Sequence, residues 1–133
     1  MNIADKARFY GEICRVLKSG GCLVFHDVLL GREGTLRYPV PWAGDPAISF
    51  LSSAGQLRLC LQEAGLQVRS WEDKTQQSLD WYASLTTRRE GAPLPPLGLH
   101  LLMGDDFDTK VRNLRANLRE GRAIVVQRLA ELA

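Results

Sequence analysis

Apolar positions along this chain change period several times, and each change marks an element. Phe9, Ile13, Val16 and Leu17 stand at i, i+4, i+7 and i+8, which predicts a helix from Asp5 to Lys18 with Gly20 placed to end it. From Cys22 the period is lost. Leu23, Val24, Phe25 and Val28 form a nearly continuous apolar run, as in a strand covered on both faces within a helix-flanked parallel sheet, so a strand is predicted over 22–27. Leu30 to Ser52 is irregular and rich in Gly and Pro, longer than a plain connection needs, and reads as a lid or binding loop. Ser53 and Gln56 make a capping box for a helix with the face Leu57, Cys60, Leu61 and Ala64, stopped by Gly65. Gln67 to Glu72 alternates around Val68 as a short strand, and Thr75 is placed to cap a helix carrying Leu79, Tyr82 and Leu85.

A proline-rich loop, Gly91 to Gly98, precedes a last helix with Phe107, Val111, Leu114 and Leu118 on one face and Gly121 at its end. The tail from Arg122 to Leu129 is open to two readings. Ile124, Val125 and Val126 favour a strand, and Val125, Leu129 and Leu132 fit a helical stripe; the strand is preferred. The chain reads as a single domain over 1–133, of α/β class, with about three strands and flanking helices.

Composition removes several functions. The net charge is +2, and no basic stripe is interleaved with aromatics, so no nucleic acid partner is expected. Arg112, Arg115, Arg119 and Arg122 approximate a helical row, which reads as a solvated face. No apolar run approaches the roughly 18 residues of a membrane span. Cys14, Cys22 and Cys60 lack metal or redox spacing and read as reduced core thiols, which places the protein in the cytoplasm.

Asp105, Asp106 and Asp108 lack the glycine and terminal glutamate of a calcium loop and read as caps of the last helix. Trp71 and Trp81 read as core or cover residues, and His100 as a buried, hydrogen-bonded histidine. No nucleophile elbow, zinc spacing or phosphate loop is present.

One segment carries more specific information. Met1-Asn2-Ile3-Ala4-Asp5-Lys6, Glu12, Arg15-Val16-Leu17-Lys18-Ser19-Gly20-Gly21 and Val24-Phe25-His26-Asp27 are followed by Tyr38-Pro39-Val40-Pro41-Trp42-Ala43. Then come Asp45-Pro46, Ser49-Phe50-Leu51, Ala64-Gly65-Leu66 and Trp71-Glu72-Asp73-Lys74-Thr75. Together they resemble the carboxyl-terminal half of class I S-adenosylmethionine-dependent methyltransferases. The likeness is to the small-molecule branch, of sarcosine/dimethylglycine or quinone-biosynthesis type. Ser19 stands where that family generally has proline.

The resemblance implies a truncated, Rossmann-like half domain holding the last three strands, one of them antiparallel, and an ancestral transfer of methyl from S-adenosylmethionine to a small metabolite. The cofactor requires a Gly-x-Gly-x-x-Gly turn between strand and helix, because glycine lets the backbone approach it closely. None of the twelve glycines falls in that pattern, so no cofactor is expected to bind this chain in isolation.

Candidate substrate contacts follow from the rule that open sheets bind ligands beyond the carboxyl ends of their strands. His26 and Asp27 close the predicted strand and, being adjacent, point to opposite faces, one toward a pocket and one toward a helix. Tyr38 and Trp42 either close over a small-molecule ligand, where aromatic faces suit a methylated amine, or cover the sheet edge. Two other roles remain open: a non-catalytic small-molecule binding module, and an interaction module completed by a partner chain. The strand from Cys22 to Asp27 would present an unpaired apolar edge, which predicts a homodimer or a partner chain joined there and at the first helix.

Overall fold

A computed structural model describes residues 1–89 and 96–132. The elements run α1 (Lys6–Val16), β1 (Cys22–Leu30), α2 (Ala54–Glu63), β2 (Leu66–Asp73), α3 (Thr75–Arg89), α4 (Leu99–Met103), α5 (Phe107–Arg119) and β3 (Ala123–Leu132). The strands form one antiparallel sheet in the order β1-β3-β2, with β3 antiparallel to both neighbours, so the parallel sheet suggested by the apolar run of β1 is not what the described strands form. The outer two strands therefore run parallel to each other, as the resemblance implies.

Two apolar cores lie on opposite faces of this sheet. On one face Tyr10 of α1 and Leu57 and Leu61 of α2 meet Leu29, Leu66, Val126 and Ala130. On the other, Leu114 and Leu118 of α5 meet Ala123 and Val125, with Leu79 and Tyr82 of α3 packed alongside. The tail is a strand because Val126 and Ala130 serve the first core while Ala123 and Val125 serve the second.

Several boundaries and faces depart from the sequence reading. β1 does not end at Asp27 but continues to Leu30, because Val28 and Leu29 still have cores to fill on the two faces. On α1 the inward residues are Tyr10, Ile13, Cys14 and Leu17, whereas Val16 is 65% exposed and Phe9 39%. The face turns because the Tyr10 ring packs beside Phe25, with ring centroids 6.1 Å apart.

Thr75 does not cap α3. Its hydroxyl accepts from the Val125 amide, while its own amide donates to Asp73. Asp106 occupies the N-cap position of α5, yet its carboxylate pairs with Lys110 at 2.8 Å and makes no capping bond. His100 is half-buried on α4, edge-on to Phe107. Trp81 is half exposed, and Cys22 lies at the surface; none of the three thiols is bridged. The side chain of Leu85 and most of the loop predicted from Gly91 lie outside the described residues.

Other expectations match in detail. Ser53 and Gln56 form the reciprocal capping box, and Gly65 follows α2 with φ +88, a conformation that favours glycine. No helix among the described residues is long and apolar enough to cross a membrane.

Candidate functional site

The extension of β1 places His26 and Asp27 in mid-strand rather than at its end. They point to opposite faces, as adjacent strand residues must. Asp27 shares its face with Leu23 and Phe25 and borders a pocket of about 180 Å³ between β1 and α1. The walls are largely apolar and aromatic, with Ile3, Phe9, Tyr10 and Ile13 among them, and Lys6 and His26 also reach it.

The Asp27 carboxylate is held from three sides. One oxygen accepts from the Val28 amide at 2.9 Å and lies 3.6 Å from the Met1 amino group. The other lies 3.9 Å from Nη2 of Arg128. Arg128 is 1% exposed, and its guanidinium lies over the rings of Phe25 and Trp71, at 4.1 and 4.6 Å from their centroids. Burial pulls Arg128 down to about 10, with Tyr10 and Asp27 opposing that shift. Burial pushes the Tyr10 phenol up to about 12 against the pull of Arg128. Lys6 is lowered by burial, which the Asp27 charge partly offsets, and its Nζ donates to the carbonyls of Ile3 and Phe50.

His26 is exposed on the opposite face, in register with Gln127. There it borders a second cleft of about 290 Å³ with Lys74, Ser78, Trp81 and Tyr82.

Trp42 and Tyr38 belong to the long loop after β1 and line neither pocket. Trp42 packs against the α5 core, and its indole N–H donates to the Ser49 hydroxyl at 3.0 Å. It is linked to the Asp27 side through Asn2, whose amide donates to the Trp42 carbonyl at 2.6 Å. Tyr38 is half-buried and precedes Pro39 through a cis peptide bond. The loop around it is fixed to α5 by two asparagines. Asn117, fully buried, accepts from the Arg37 amide and donates to the Arg37 carbonyl, and Asn113 donates to the Pro39 carbonyl. At the end of this segment Glu120 accepts from Arg37 and Arg122, and these bonds hold its carboxyl below the usual range.

Sequence reasoning missed Arg128, Tyr10, Asn113 and Asn117. For Arg128 the signal was present: Val126, Arg128 and Ala130 alternate at period two, so the arginine shares the face of two buried residues.

The connections that follow the described strands carry no Gly-x-Gly-x-x-Gly turn. In the connection from β1 to α2, Gly31 is taken up by the chain itself. A Cβ there would lie 1.9 Å from the Gly121 carbonyl oxygen, so this glycine admits another strand end and not a ligand. The connection from β2 to α3 is Lys74 alone and contains no glycine. Among the described residues no three His, Cys, Asp or Glu side chains converge as metal ligands.

No family model and no curated protein sequence matches the chain. Solved structures do. A putative sarcosine dimethylglycine methyltransferase from Galdieria sulphuraria aligns with 100% of this chain and 49% of its own, at 16% identity and a TM-score of 0.71. The fold is that of S-adenosylmethionine-dependent methyltransferases.

Phosphoethanolamine N-methyltransferase 2 from Haemonchus contortus, solved with phosphomonomethylethanolamine and S-adenosylhomocysteine, matches 98% of this chain and 31% of its own, at 15% identity and a TM-score of 0.71. Geranyl diphosphate C-methyltransferase from Streptomyces coelicolor matches 99% and 43%, at 18% identity and a TM-score of 0.69. The chain thus spans half or less of each of these structures. Its fold matches one part of these Rossmann-like methyltransferase structures.

Proposed function

We propose that this chain is part of a methyltransferase that transfers methyl from S-adenosylmethionine to a small metabolite, and that these 133 residues alone are not competent for the reaction. The observation that carries the reading is the alignment of the whole chain with one part of several methyltransferases, some solved with the spent cofactor. Methyl transfer depends mainly on aligning donor and acceptor in a dry pocket. Asp27 supplies an anionic group at the edge of an apolar, aromatic-walled pocket sized for a small molecule, and such walls suit a methylated amine. We assign substrate contact to Asp27 and His26, which border the pocket, and not to Tyr38 and Trp42, which the packing against α5 holds away from it.

A titration calorimetry experiment on the 133-residue chain tests this. Weak or undetectable binding of S-adenosylmethionine is expected, because the close-approach glycine turn is absent from the sequence. A submicromolar dissociation constant would overturn the proposed incompetence. A small tertiary amine such as dimethylglycine is expected to bind, and to lose affinity in Asp27→Asn.

A further inference from the structure

Arg128 is buried where a charge does little for folding. It stands in a cross-strand row between Phe25 of β1 and Trp71 of β2, with its guanidinium over both rings. Its Nε, Nη1 and Nη2 have no hydrogen-bond partner among the described residues, and the Asp27 oxygen at 3.9 Å from Nη2 is beyond hydrogen-bond reach. A cation buried in this way costs stability, and an apolar side chain that filled the same space would fold at least as well. Asp27 would not be stranded by its loss, since the carboxylate keeps the Val28 amide and is 22% exposed. The field of Arg128, however, is little screened and reaches Asp27 at the edge of the pocket.

Aromatic walls and charge pull the selectivity of this pocket in opposite directions. Ring faces favour a simple organic cation. One face of Phe25 is already covered by Arg128, at 4.1 Å from the ring centroid, and Tyr10 is buried. Lys6, on the pocket wall, donates to the carbonyls of Ile3 and Phe50, which leaves one of its three N–H groups for a ligand. With the Met1 amino group left aside, Lys6 and Arg128 set two positive charges against the carboxylate of Asp27. A full charge in a poorly hydrated site exceeds what a ring face supplies.

We propose that Arg128 is a specificity-determining residue, which together with Lys6 makes the Asp27 pocket select an amine carrying its own anionic group over a simple organic cation. The inference rests on the reading of this pocket as the acceptor site. The ammonium end of such a ligand meets Asp27, and its anionic end meets the remaining Lys6 N–H within the field of Arg128. A zwitterion adds no net charge to a site with a positive excess, whereas a simple cation increases that excess.

Titration calorimetry of the 133-residue chain at neutral pH, with dimethylglycine and with tetramethylammonium, tests the selection. The wild type is expected to bind dimethylglycine about tenfold or more tightly than tetramethylammonium. Arg128→Met removes the buried charge and is expected to lower that ratio about tenfold, mainly by a gain in tetramethylammonium affinity. Lys6→Gln is expected to lower it as well, by a loss of dimethylglycine affinity. Urea unfolding separates this role from packing, because Arg128→Met should be no less stable than the wild type while its preference changes.

If neither compound binds the wild type, the acceptor-site reading fails and this inference fails with it. If both bind equally, or if the folded variants keep the wild-type ratio, selection by charge is overturned and the acceptor site stands. An Arg128→Met chain that does not fold, or that loses both affinities along with stability, would make Arg128 a packing residue and overturn its role in selection.

Discussion

Arg128 and Tyr10 show how far one side chain can set the chemistry of another. Arg128 lies on the face of β3 that packs under α1, where Tyr10 meets it, and burial moves both away from their ordinary ionisation. Tyr10 is raised from 10.0 to about 12, so its stabilising contribution is whole below pH 10 and is lost as pH rises through 12. Arg128 is lowered to about 10 by burial, so its buried charge costs stability that is recovered as pH climbs above 10. The two slopes oppose each other in the same alkaline window. Tyr10→Phe removes one of them. Its stability relative to the wild type is expected to rise by about 2–3 kcal/mol from the neutral range to above pH 12. Urea unfolding of both proteins across that range measures it, and a constant difference would defeat the assignment. Little of this was legible in sequence, because an arginine and a tyrosine ordinarily read as surface residues.

At the scale of elements, the long loop after β1 is anchored to α5 as well as held by its own contacts. Asn117 meets both backbone groups of Arg37 from a fully buried position. Asn117→Ala is expected to cost about 2–4 kcal/mol, because truncation leaves buried backbone groups without partners. Chemical denaturation gives the value, and a loss within experimental error would show that the loop is held by other contacts.

The sequence reading found α5 through Phe107, Val111, Leu114 and Leu118, whose spacing records contact with an apolar core. It passed over Asn113 and Asn117, since an asparagine at helical spacing looks the same whether it meets water or a loop. The carboxyl end of β1 departs from the sequence reading for a related reason. Asp27 has the polarity of a strand end, whereas the strand is defined by pairing and continues three residues beyond it to Leu30. The capping box of α2 was readable because Ser53 and Gln56 interact locally.

For the molecule as a whole, the parallel outer strands and antiparallel centre were legible through resemblance to a larger domain. Hydrophobic pattern alone names strands without ordering them. β3 is paired along both edges and contributes to both cores, whereas β1 and β2 are each paired along one. Its amides from Val125 to Ala130 are therefore expected to exchange with solvent deuterium slowest, through global opening. Residue-resolved exchange checks this, and faster exchange there than in α2 would contradict it. The position of this strand also bears on synthesis. Cys22 pairs with Glu131, so almost the whole chain must leave the ribosome before β1 acquires its neighbour. Until then the edges of β1 and β2 that β3 will occupy are unfilled, and the apolar run from Leu23 to Phe25 lacks that partner. A nascent chain stalled before Ala123 would lack the strand that joins β1 to β2, and its survival would rest on whatever shields that run.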